Sequence, residues 1–225
     1  MRAMILAAGR GERMRPLTDT VPKPLLPAGG KPLIVWHIER LARAGVRDIV
    51  VNHAWLGARI EQALGDGSRW DVRLRYSAEA TALETAGGIR QALPLLGSDP
   101  FLVINGDIWT DWDPSLARAA ADDLPRHGRL AWLVLVDNPV HHPTGDFRLT
   151  PAGLVRDGEP RLTFAGIGVY QPALFASLPA GEPARLAPLL RAAMGRDQVA
   201  GMHHCGRWTD VGTPQRLAEL DASLQ

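Results

Sequence analysis

The sequence is short of cysteine, of long apolar runs and of any excess of charge, and each shortage excludes a class of protein. Cys205 is the only cysteine among 225 residues, which rules out a disulfide within the chain and favours a reducing, cytoplasmic setting. No segment reaches the ~20 consecutive apolar residues that a membrane-spanning helix needs. Because 25 basic residues stand against 24 acidic ones, for a net charge of +1, we expect no general binding to nucleic acid or to a membrane surface.

Internal repeats and linkers are also missing. No hexapeptide or longer repeat is visible, and no Ser/Gly-rich or highly charged segment divides the chain. We therefore predict one domain over residues 1–225, with no β-helix at the C-terminal end.

Apolar segments alternate between strand-like and helix-like patterns in the first half of the chain. The predicted strands are 3–7, 48–52, 72–77 and 101–105, and the predicted helices between them are 32–44, 58–64 and 86–93. After residue 130 the strands become longer, at 130–136 and 162–170, which predicts a mixed or antiparallel half. The remaining prediction comprises helices near 172–178 and 184–194, a strand pair at 199–203 and 208–211, and a closing helix at 214–224. The pattern is typical of an α/β protein with a Rossmann-like, doubly wound mixed sheet.

A glycine-rich turn follows the first predicted strand. Gly9 and Gly11 let backbone N–H groups approach an anion, and Arg13, Arg15 and Lys23 add three cations nearby. Four prolines between residues 16 and 27 keep the segment in a loop, so we expect Lys23 to make few core contacts. This combination predicts a cradle for a triphosphate.

Two familiar phosphate-binding loops do not fit this turn. The dinucleotide-binding fingerprint needs a third glycine where Met14 stands, and the next strand ends at Asn52 where an acidic residue is required. A Walker A loop needs Ser or Thr after Gly-Lys, whereas Lys31 is followed by Pro32.

Two aspartates are candidates for a magnesium site. Asp107 follows a strongly apolar strand, so it emerges at the carboxyl edge of the sheet, where ligands bind in open α/β folds. Mg²⁺ is commonly held by one or two carboxylates, phosphate oxygens and water, and Asp210 in the segment 208–214 is the candidate for a second carboxylate. Taken alone, Asp210 also suits a helix N-cap or a turn.

A competing motif, Asp111-Trp112-Asp113, has the Asp-x-Asp form of the metal site in nucleotide-sugar-dependent glycosyltransferases. Asp113 followed by Pro114 also reads as the start of a helix, with Asp113 at the N-cap. We favour the structural interpretation of Asp113.

The motifs resemble the signature of the sugar-nucleotide pyrophosphorylases, nucleotidyltransferases that act on sugar 1-phosphates. The run from Gly9 to Arg13 and the pair Pro22-Lys23 match that signature, with Glu12 in place of a threonine. Gly-Asp at 106–107 and Trp-x-Asp-x-Gly-Thr-Pro at 208–214 match its two metal-binding segments. The resemblance implies a three-layer α/β/α nucleotidyltransferase fold with Mg²⁺ as cofactor.

The resemblance also implies a role for each candidate residue. Lys23, Arg13 and Asp107 would be catalytic, and Asp107 and Asp210 would hold Mg²⁺. The residues implied for UTP are Ala7, Ala8, Gly9, Gly11, Glu12, Arg13, Lys23, Glu79, Thr85 and Gly87. Those implied for the sugar phosphate are Asn105, Asp146 and Gly166. Thr85 is also expected to cap the following helix.

The segments 83–88, 145–147 and 164–170 are most similar to the short, single-domain branch whose acceptor is N-acetylmuramic acid 1-phosphate. The lysine of the family's Glu-Lys-Pro motif is not evident, because the most similar segment of this chain is Glu159-Pro160-Arg161. The branch implies UTP and a sugar 1-phosphate as partners and a monomer or small homo-oligomer. The alternatives are another sugar-1-phosphate nucleotidyltransferase, a glycosyltransferase, and a non-catalytic nucleotide-sensing subunit.

Overall fold

The computed structural model describes residues 1–225 and orders them into thirteen strands and six α-helices. The strands are β1 (Ala3–Leu6), β2 (Pro27–Ala28), β3 (Lys31–Pro32), β4 (Asp48–His53), β5 (Arg73–Ala78), β6 (Phe101–Asn105), β7 (Ile108–Thr110), β8 (Ala131–Val136), β9 (Arg148–Leu149), β10 (Val155–Arg156), β11 (Thr163–Tyr170), β12 (Val199–His203) and β13 (Trp208–Asp210). The helices are α1 (Leu33–Arg43), α2 (Gly57–Leu64), α3 (Glu84–Leu96), α4 (Leu116–Arg126), α5 (Leu186–Met194) and α6 (Pro214–Ser223). None of the helices has the length and apolar character needed to cross a membrane.

Seven strands form one mixed sheet in the order β12-β8-β11-β6-β1-β4-β5. The pairs β5–β4, β4–β1, β1–β6 and β8–β12 are parallel, and only β11 runs against its neighbours β6 and β8. The carboxyl ends of six strands and the start of β11 therefore lie at one edge. This confirms the predicted mixed sheet. In its second half, β11 alone runs antiparallel to the other strands.

The core lies on both faces of this sheet. Successive residues of β1 alternate between faces, because Ala3 and Ile5 belong to one apolar cluster and Met4 belongs to the other. The first cluster packs α1, α2 and α4 against the sheet, and the second packs α3 and α5. Each fully buried Ile or Leu contributes about 1.5–3 kcal/mol of transfer free energy. The three-layer α/β/α architecture is as predicted, and none of the strands builds a β-helix.

A third, smaller cluster joins the loop after β1 to the end of the chain. It contains Met14 and Leu26 from the loop, Trp109 from β7, Val211 after β13 and Leu217 from α6. The short β7–β13 ladder supports it. This cluster positions both phosphate-loop and aspartate segments at the carboxyl edge of the sheet.

Four local predictions were wrong. The segment near 172–178 is only a short 3₁₀ helix, Pro172–Phe175. The strands β12 and β13 do not pair with each other, because β12 joins β8 and β13 joins β7. Helix α3 starts at Glu84 with Leu83 at the N-cap, so Thr85 lies inside the helix. Helix α4 starts at Leu116 with Ser115 at the N-cap.

Candidate active site

Three cavities meet at Asp107, at the carboxyl edge of the sheet. The first lies over the ends of β1, β4 and β6, the second lies beside the start of β11, and the third lies under the glycine-rich turn. We call them the β1 cavity, the β11 cavity and the loop cavity. Lys23 lines the β1 and loop cavities, and Arg13 lines the loop and β11 cavities. A ligand in any one of them therefore lies near ligands in the other two.

The β1 cavity has a volume of about 300 Å³. It is lined by Leu6, Ala7, Ala8, Gly9, Lys23, Pro24, Asn52, Ala82, Glu84, Thr85, Asn105 and Asp107. Residues at the end of β1 and at the start of α3 both line this cavity. It is concave and partly apolar, as small-molecule sites usually are. Five of its residues are among those predicted for UTP, namely Ala7, Ala8, Gly9, Lys23 and Thr85. Asp107, at the junction, is the predicted catalytic and metal-binding residue.

A buried hydrogen-bond chain supports this cavity from below. The Ala7 N–H donates to Oδ1 of Asn52 at 2.9 Å, and Nδ2 of Asn52 donates to Oε1 of Glu79 at 2.7 Å. The second carboxylate oxygen of Glu79 accepts the Leu83 N–H at 2.9 Å. Asn52 and Glu79 are both buried. The chain fixes the end of β1 relative to the segment before α3, and Glu79 lies behind the cavity wall.

The glycine-rich turn forms the loop cavity. Gly11 adopts a left-handed conformation with φ 69°, which favours glycine, and it precedes the 3₁₀ helix Glu12–Met14. The hydroxyl of Thr18 donates to the Gly11 carbonyl at 2.8 Å and closes the turn. Arg13 is exposed and makes no ion pair within the chain. Its guanidinium is therefore available to an anionic ligand.

Lys23 differs from its prediction as a lightly packed surface residue. The residue is only 7% exposed, and its Nζ lies 2.6 Å from Oδ2 of Asp107. The 3₁₀ helix Lys23–Leu25 turns the side chain inward from the proline-rich loop. A buried ammonium next to a carboxylate is strongly held, and a phosphate that enters here meets a cation with little competing water.

Asp210 lies beside Asp107 because β13 pairs with β7. Asp210 is opposite Ile108 in the ladder, and the Val211 N–H donates to the Asp107 carbonyl at 2.9 Å. Both carboxylates line the β11 cavity. Asp210 Oδ2 also accepts a hydrogen bond from Nη1 of Arg216 at 2.6 Å.

The donor set of these two aspartates fits a magnesium ion. Carboxylate oxygens are the ligands that Mg²⁺ prefers, and Mg²⁺ is usually bound by one or two carboxylates with phosphate oxygens and water. No group of three or more His, Cys, Asp or Glu side chains could enclose a metal. The two aspartates would therefore hold the ion together with substrate phosphate rather than as a closed protein site.

The β11 cavity also contains two predicted sugar-phosphate residues, Asn105 and Gly166. A bulge in β11 between Phe164 and Gly168 brings Gly166 against Asn105, where a Cβ atom at Gly166 would lie 2.7 Å from Nδ2 of Asn105. Pro139, His141 and His142 form a wall that the sequence analysis did not identify. Two histidines in a loop carry no spacing signal, so only the tertiary structure places them at the site.

Besides Glu79, two predicted ligands lie outside these cavities. Gly87 donates its N–H to the Ala184 carbonyl at 3.1 Å, and a Cβ atom at this position would clash with the Glu182 carbonyl. Asp146 lies behind the β11 cavity, where its carboxylate accepts the Phe164 N–H at 2.8 Å.

The competing Asp-x-Asp motif also lies outside the three cavities. Asp111 lies 2.8 Å from Nε2 of His204, and Asp113 accepts the Ser115 N–H at 2.9 Å. Both line a separate cavity with Arg40. The structure thus gives Asp113 a local structural role next to the helix start, two residues before the N-cap.

A buried histidine supports the strand that follows Asp107. His37 on α1 lies with Nε2 2.9 Å from the Ile108 carbonyl, so Nε2 carries the proton and donates. Burial lowers the pKa of His37 from 6.5 to about 4. The ring is therefore neutral at pH 7 and serves as a hydrogen-bonded core residue.

Comparisons with known proteins identify relatives of this chain. Residues 2–145 match the nucleotidyl transferase family. The chain is 58% identical to an N-acetylmuramate alpha-1-phosphate uridylyltransferase from Neisseria meningitidis, over 99% of this chain and 97% of that protein. It is 38% identical to a protein of the same description from Caulobacter vibrioides, over 99% and 96% of the two chains.

The fold is also found in a solved structure. A putative glucose-1-phosphate thymidylyltransferase from Bacillus anthracis superposes with a TM-score of 0.87 over 100% of this chain and 95% of that chain. The sequence identity between the two is 22%, so this likeness concerns the fold alone.

Proposed function

The chain belongs to the nucleotidyl transferase family, and we propose that it transfers UMP from UTP to N-acetylmuramic acid α-1-phosphate, giving UDP-N-acetylmuramic acid and pyrophosphate. It is an enzyme, and the observation that supports this reaction is the convergence of three cavities on Asp107. The sugar acceptor rests on the 58% identity to the Neisseria protein. Both halves of the chain line the junction, so we propose that residues 1–225 act as one nucleotidyltransferase domain.

The β1 cavity would hold the uridine, the loop cavity the β- and γ-phosphates, and the β11 cavity the sugar phosphate. An oxygen of the sugar phosphate attacks the α-phosphorus in line, a new P–O bond forms, and the bond to the β-phosphate oxygen breaks. Pyrophosphate leaves with the bonding electron pair. The attacking oxygen is already anionic at neutral pH, so the step needs no strong general base. Rate acceleration then comes from positioning and charge neutralisation.

The proposed role of each residue follows from the cavity that it lines. Arg13, exposed between the loop and β11 cavities, would bind the leaving β/γ-phosphates. Lys23, between the β1 and loop cavities, would contact the α-phosphate. Asp107 and Asp210 would hold Mg²⁺, which when bound supplies neutralisation of phosphate charge.

We also propose a cytoplasmic location and a monomer or small homo-oligomer. Cys205 is exposed and unpaired, which suits a compartment that keeps thiols reduced. Light scattering after size-exclusion chromatography tests the oligomeric state directly.

The test of the proposed function is a substrate matrix. Purified full-length protein is assayed for pyrophosphate release with UTP, dTTP and GTP against the 1-phosphates of N-acetylmuramic acid, N-acetylglucosamine, glucose and mannose. We expect the highest kcat/KM for UTP with the N-acetylmuramic acid compound, loss of turnover with EDTA, and recovery with Mg²⁺. A preference for GTP with mannose 1-phosphate, or for dTTP with glucose 1-phosphate, would reject this acceptor and nucleotide but keep the reaction class.

A further inference from the structure

The proposed acceptor carries two anionic groups, a phosphate and the carboxylate that its name as an N-acetylmuramate denotes. Arg13 and Lys23 both line the loop cavity, and the proposed function assigns their charge to the phosphates of the triphosphate. A site that selects this sugar needs a second donor for the carboxylate, away from the phosphates. The following inference rests on the proposed function.

Of the residues that line the β11 cavity and neither of the other two cavities, five have polar side chains. Among them, Thr163 donates its hydroxyl to Oδ1 of Asn138, and Trp208 donates its indole N–H to the Ala165 carbonyl. Asp210 can only accept hydrogen bonds. The two polar side chains that remain, His141 and His142, each have one ring nitrogen without a partner within the chain.

The partners of His141 fix which of its nitrogens carries the proton. Nη1 of Arg216 lies 2.7 Å from Nε2 of His141, and a guanidinium can only donate. Oδ2 of Asp210 lies farther from the same nitrogen, at 3.5 Å, so the shorter Arg216 contact makes Nε2 the acceptor and leaves the proton on Nδ1. Nδ1 has no partner within the chain, so its N–H is free to donate to a ligand.

The adjacent ring is oriented by a different partner. Nε2 of His142 lies 3.1 Å from Oδ1 of Asp146, and the other oxygen of Asp146 accepts the Phe164 N–H at 2.8 Å. Asp146 thus connects His142 to the first residues of β11, behind the wall of the cavity. The His142 ring is held in place, and its Nδ1 has no partner within the chain.

We propose that His141 and His142 form a subsite for the acceptor's carboxylate, with His141 Nδ1–H as its hydrogen-bond donor, and that this subsite selects a carboxylated sugar 1-phosphate over a neutral one. Arg216 and Asp146 are positioning residues for the two rings. A hydrogen bond to a charged group corresponds to a discrimination of about 10- to 100-fold.

The test compares kcat/KM for N-acetylmuramic acid 1-phosphate and N-acetylglucosamine 1-phosphate, both with UTP, in the wild type and in His141→Ala, His142→Ala and the double variant. We expect the ratio of the two values to fall about tenfold or more in His141→Ala and further in the double variant. His141→Asn, whose amide nitrogen replaces Nδ1, should retain more of the selectivity than His141→Ala. Arg13→Ala is the control, because it should slow both sugars and leave their ratio unchanged.

A second measurement separates this inference from the proposed reaction. Binding of free N-acetylmuramic acid and free N-acetylglucosamine, followed by calorimetry, needs no turnover and reports the subsite alone. Weaker binding of N-acetylmuramic acid in His141→Ala, with N-acetylglucosamine binding little changed, supports the subsite even if another sugar 1-phosphate proves to be the acceptor. Equal binding of the two sugars by the wild type, or a selectivity ratio that stays within twofold in the double variant, overturns it.

Discussion

Nζ of Lys23 lies 2.6 Å from Oδ2 of Asp107, and this one ion pair joins the loop after β1 to the end of β6. The lysine side chain is 9% exposed and the aspartate side chain 38% exposed, so the aspartate is the more accessible partner of the pair. The chain contains only one other lysine, Lys31, and otherwise uses arginine for its cations. A compact ammonium with three donors suits a confined position between two phosphates better than a planar guanidinium does.

Lys23→Met should lower kcat by roughly two orders of magnitude, on the order of 3 kcal/mol in the activation free energy, because the phosphates lose a cation in a poorly hydrated site. It should also lower the free energy of unfolding by about 1–2 kcal/mol, less than for a fully buried pair since Asp107 is partly exposed. The double variant Lys23→Met/Asp107→Asn should recover part of that stability but no activity. Lys31→Met, which removes the pair with Glu39, is the matched control. Near wild-type turnover in Lys23→Met would exclude the proposed role.

Asp107 and Asp210 should behave as one unit. Asp107→Asn and Asp210→Asn should each lose most activity and weaken Mg²⁺ dependence, since each removes one carboxylate from the proposed ion site. The double variant should be little worse than the poorer single variant, because the effects of residues that act together are not additive. Asp111→Asn, in the separate cavity, should be mild. An essential Asp111 and a dispensable Asp210 would instead favour a glycosyltransferase.

Much of the site could be predicted from sequence because its parts follow strongly apolar strands. The segments that form β1, β4 and β6 lie within one residue of their predicted bounds, and parallel strands bring their carboxyl ends to one edge. That geometry places the glycine-rich turn, Asn52 and Asp107 together without further information. The structure brings Asp107 and Asp210 to one cavity as predicted, whereas their binding of Mg²⁺ stays a prediction.

The rest depends on tertiary contacts that leave no local signal. The proline-rich loop indicates an exposed Lys23, but a 3₁₀ turn and the Asp107 carboxylate draw that side chain inward. Glu79 and Asp146 are predicted as ligands from the sequence. In the structure, both accept backbone N–H groups behind the cavity walls. His141 lies at the site because β8 happens to end beside the start of β11, a relationship between strands that sequence spacing does not contain.

Gly11→Ala should destabilise the loop and raise the KM for UTP. A Cβ atom there would lie 3.0 Å from Cγ2 of Thr18 and 3.2 Å from Cβ of Lys23, in a backbone conformation with φ 69°. The left-handed conformation costs about 1–2 kcal/mol for a residue with a side chain, and the contacts add to that cost. Gly128→Ala has a similar φ of 62° with open space around it, so it isolates the conformational cost. Thermal melts give the stability of both variants, and UTP saturation curves give their KM. Equal KM values for the two variants would show that the contacts around Gly11 do not affect UTP binding.

His37 should make the folded state less stable as the pH falls from about 6.5 to 4. The folded protein holds this ring neutral with a pKa of about 4, whereas the unfolded chain takes up the proton at about 6.5, so acid favours unfolding. A shift of this size corresponds to a loss of about 3 kcal/mol across that window, and none above it. His37→Gln can still donate to the Ile108 carbonyl and should show a flatter dependence. Urea unfolding at pH 7.5, 5.5 and 4.5 gives the comparison, with the exposed His127→Gln as control. Parallel curves for wild type and His37→Gln would show that the ring does not titrate in this way.

The hydrogen-bond chain beneath the β1 cavity should control nucleotide affinity without touching the nucleotide. Glu79 accepts one bond from Asn52 and one from the Leu83 N–H, so both of its oxygens face donors. In Glu79→Gln one of those positions becomes an NH₂ group that faces another donor, which should cost about 1–3 kcal/mol of stability. Because Asn52 also accepts the Ala7 N–H, the change should shift the end of β1 and raise the KM for UTP several-fold. The change in kcat should be smaller, since the proposed phosphate contacts at Lys23 and Arg13 are unaffected. Glu182→Gln, at an exposed carboxylate, is the control for the loss of one negative charge. A variant that melts at a lower temperature but keeps the wild-type KM for UTP would show that the chain stabilises the fold without positioning the nucleotide.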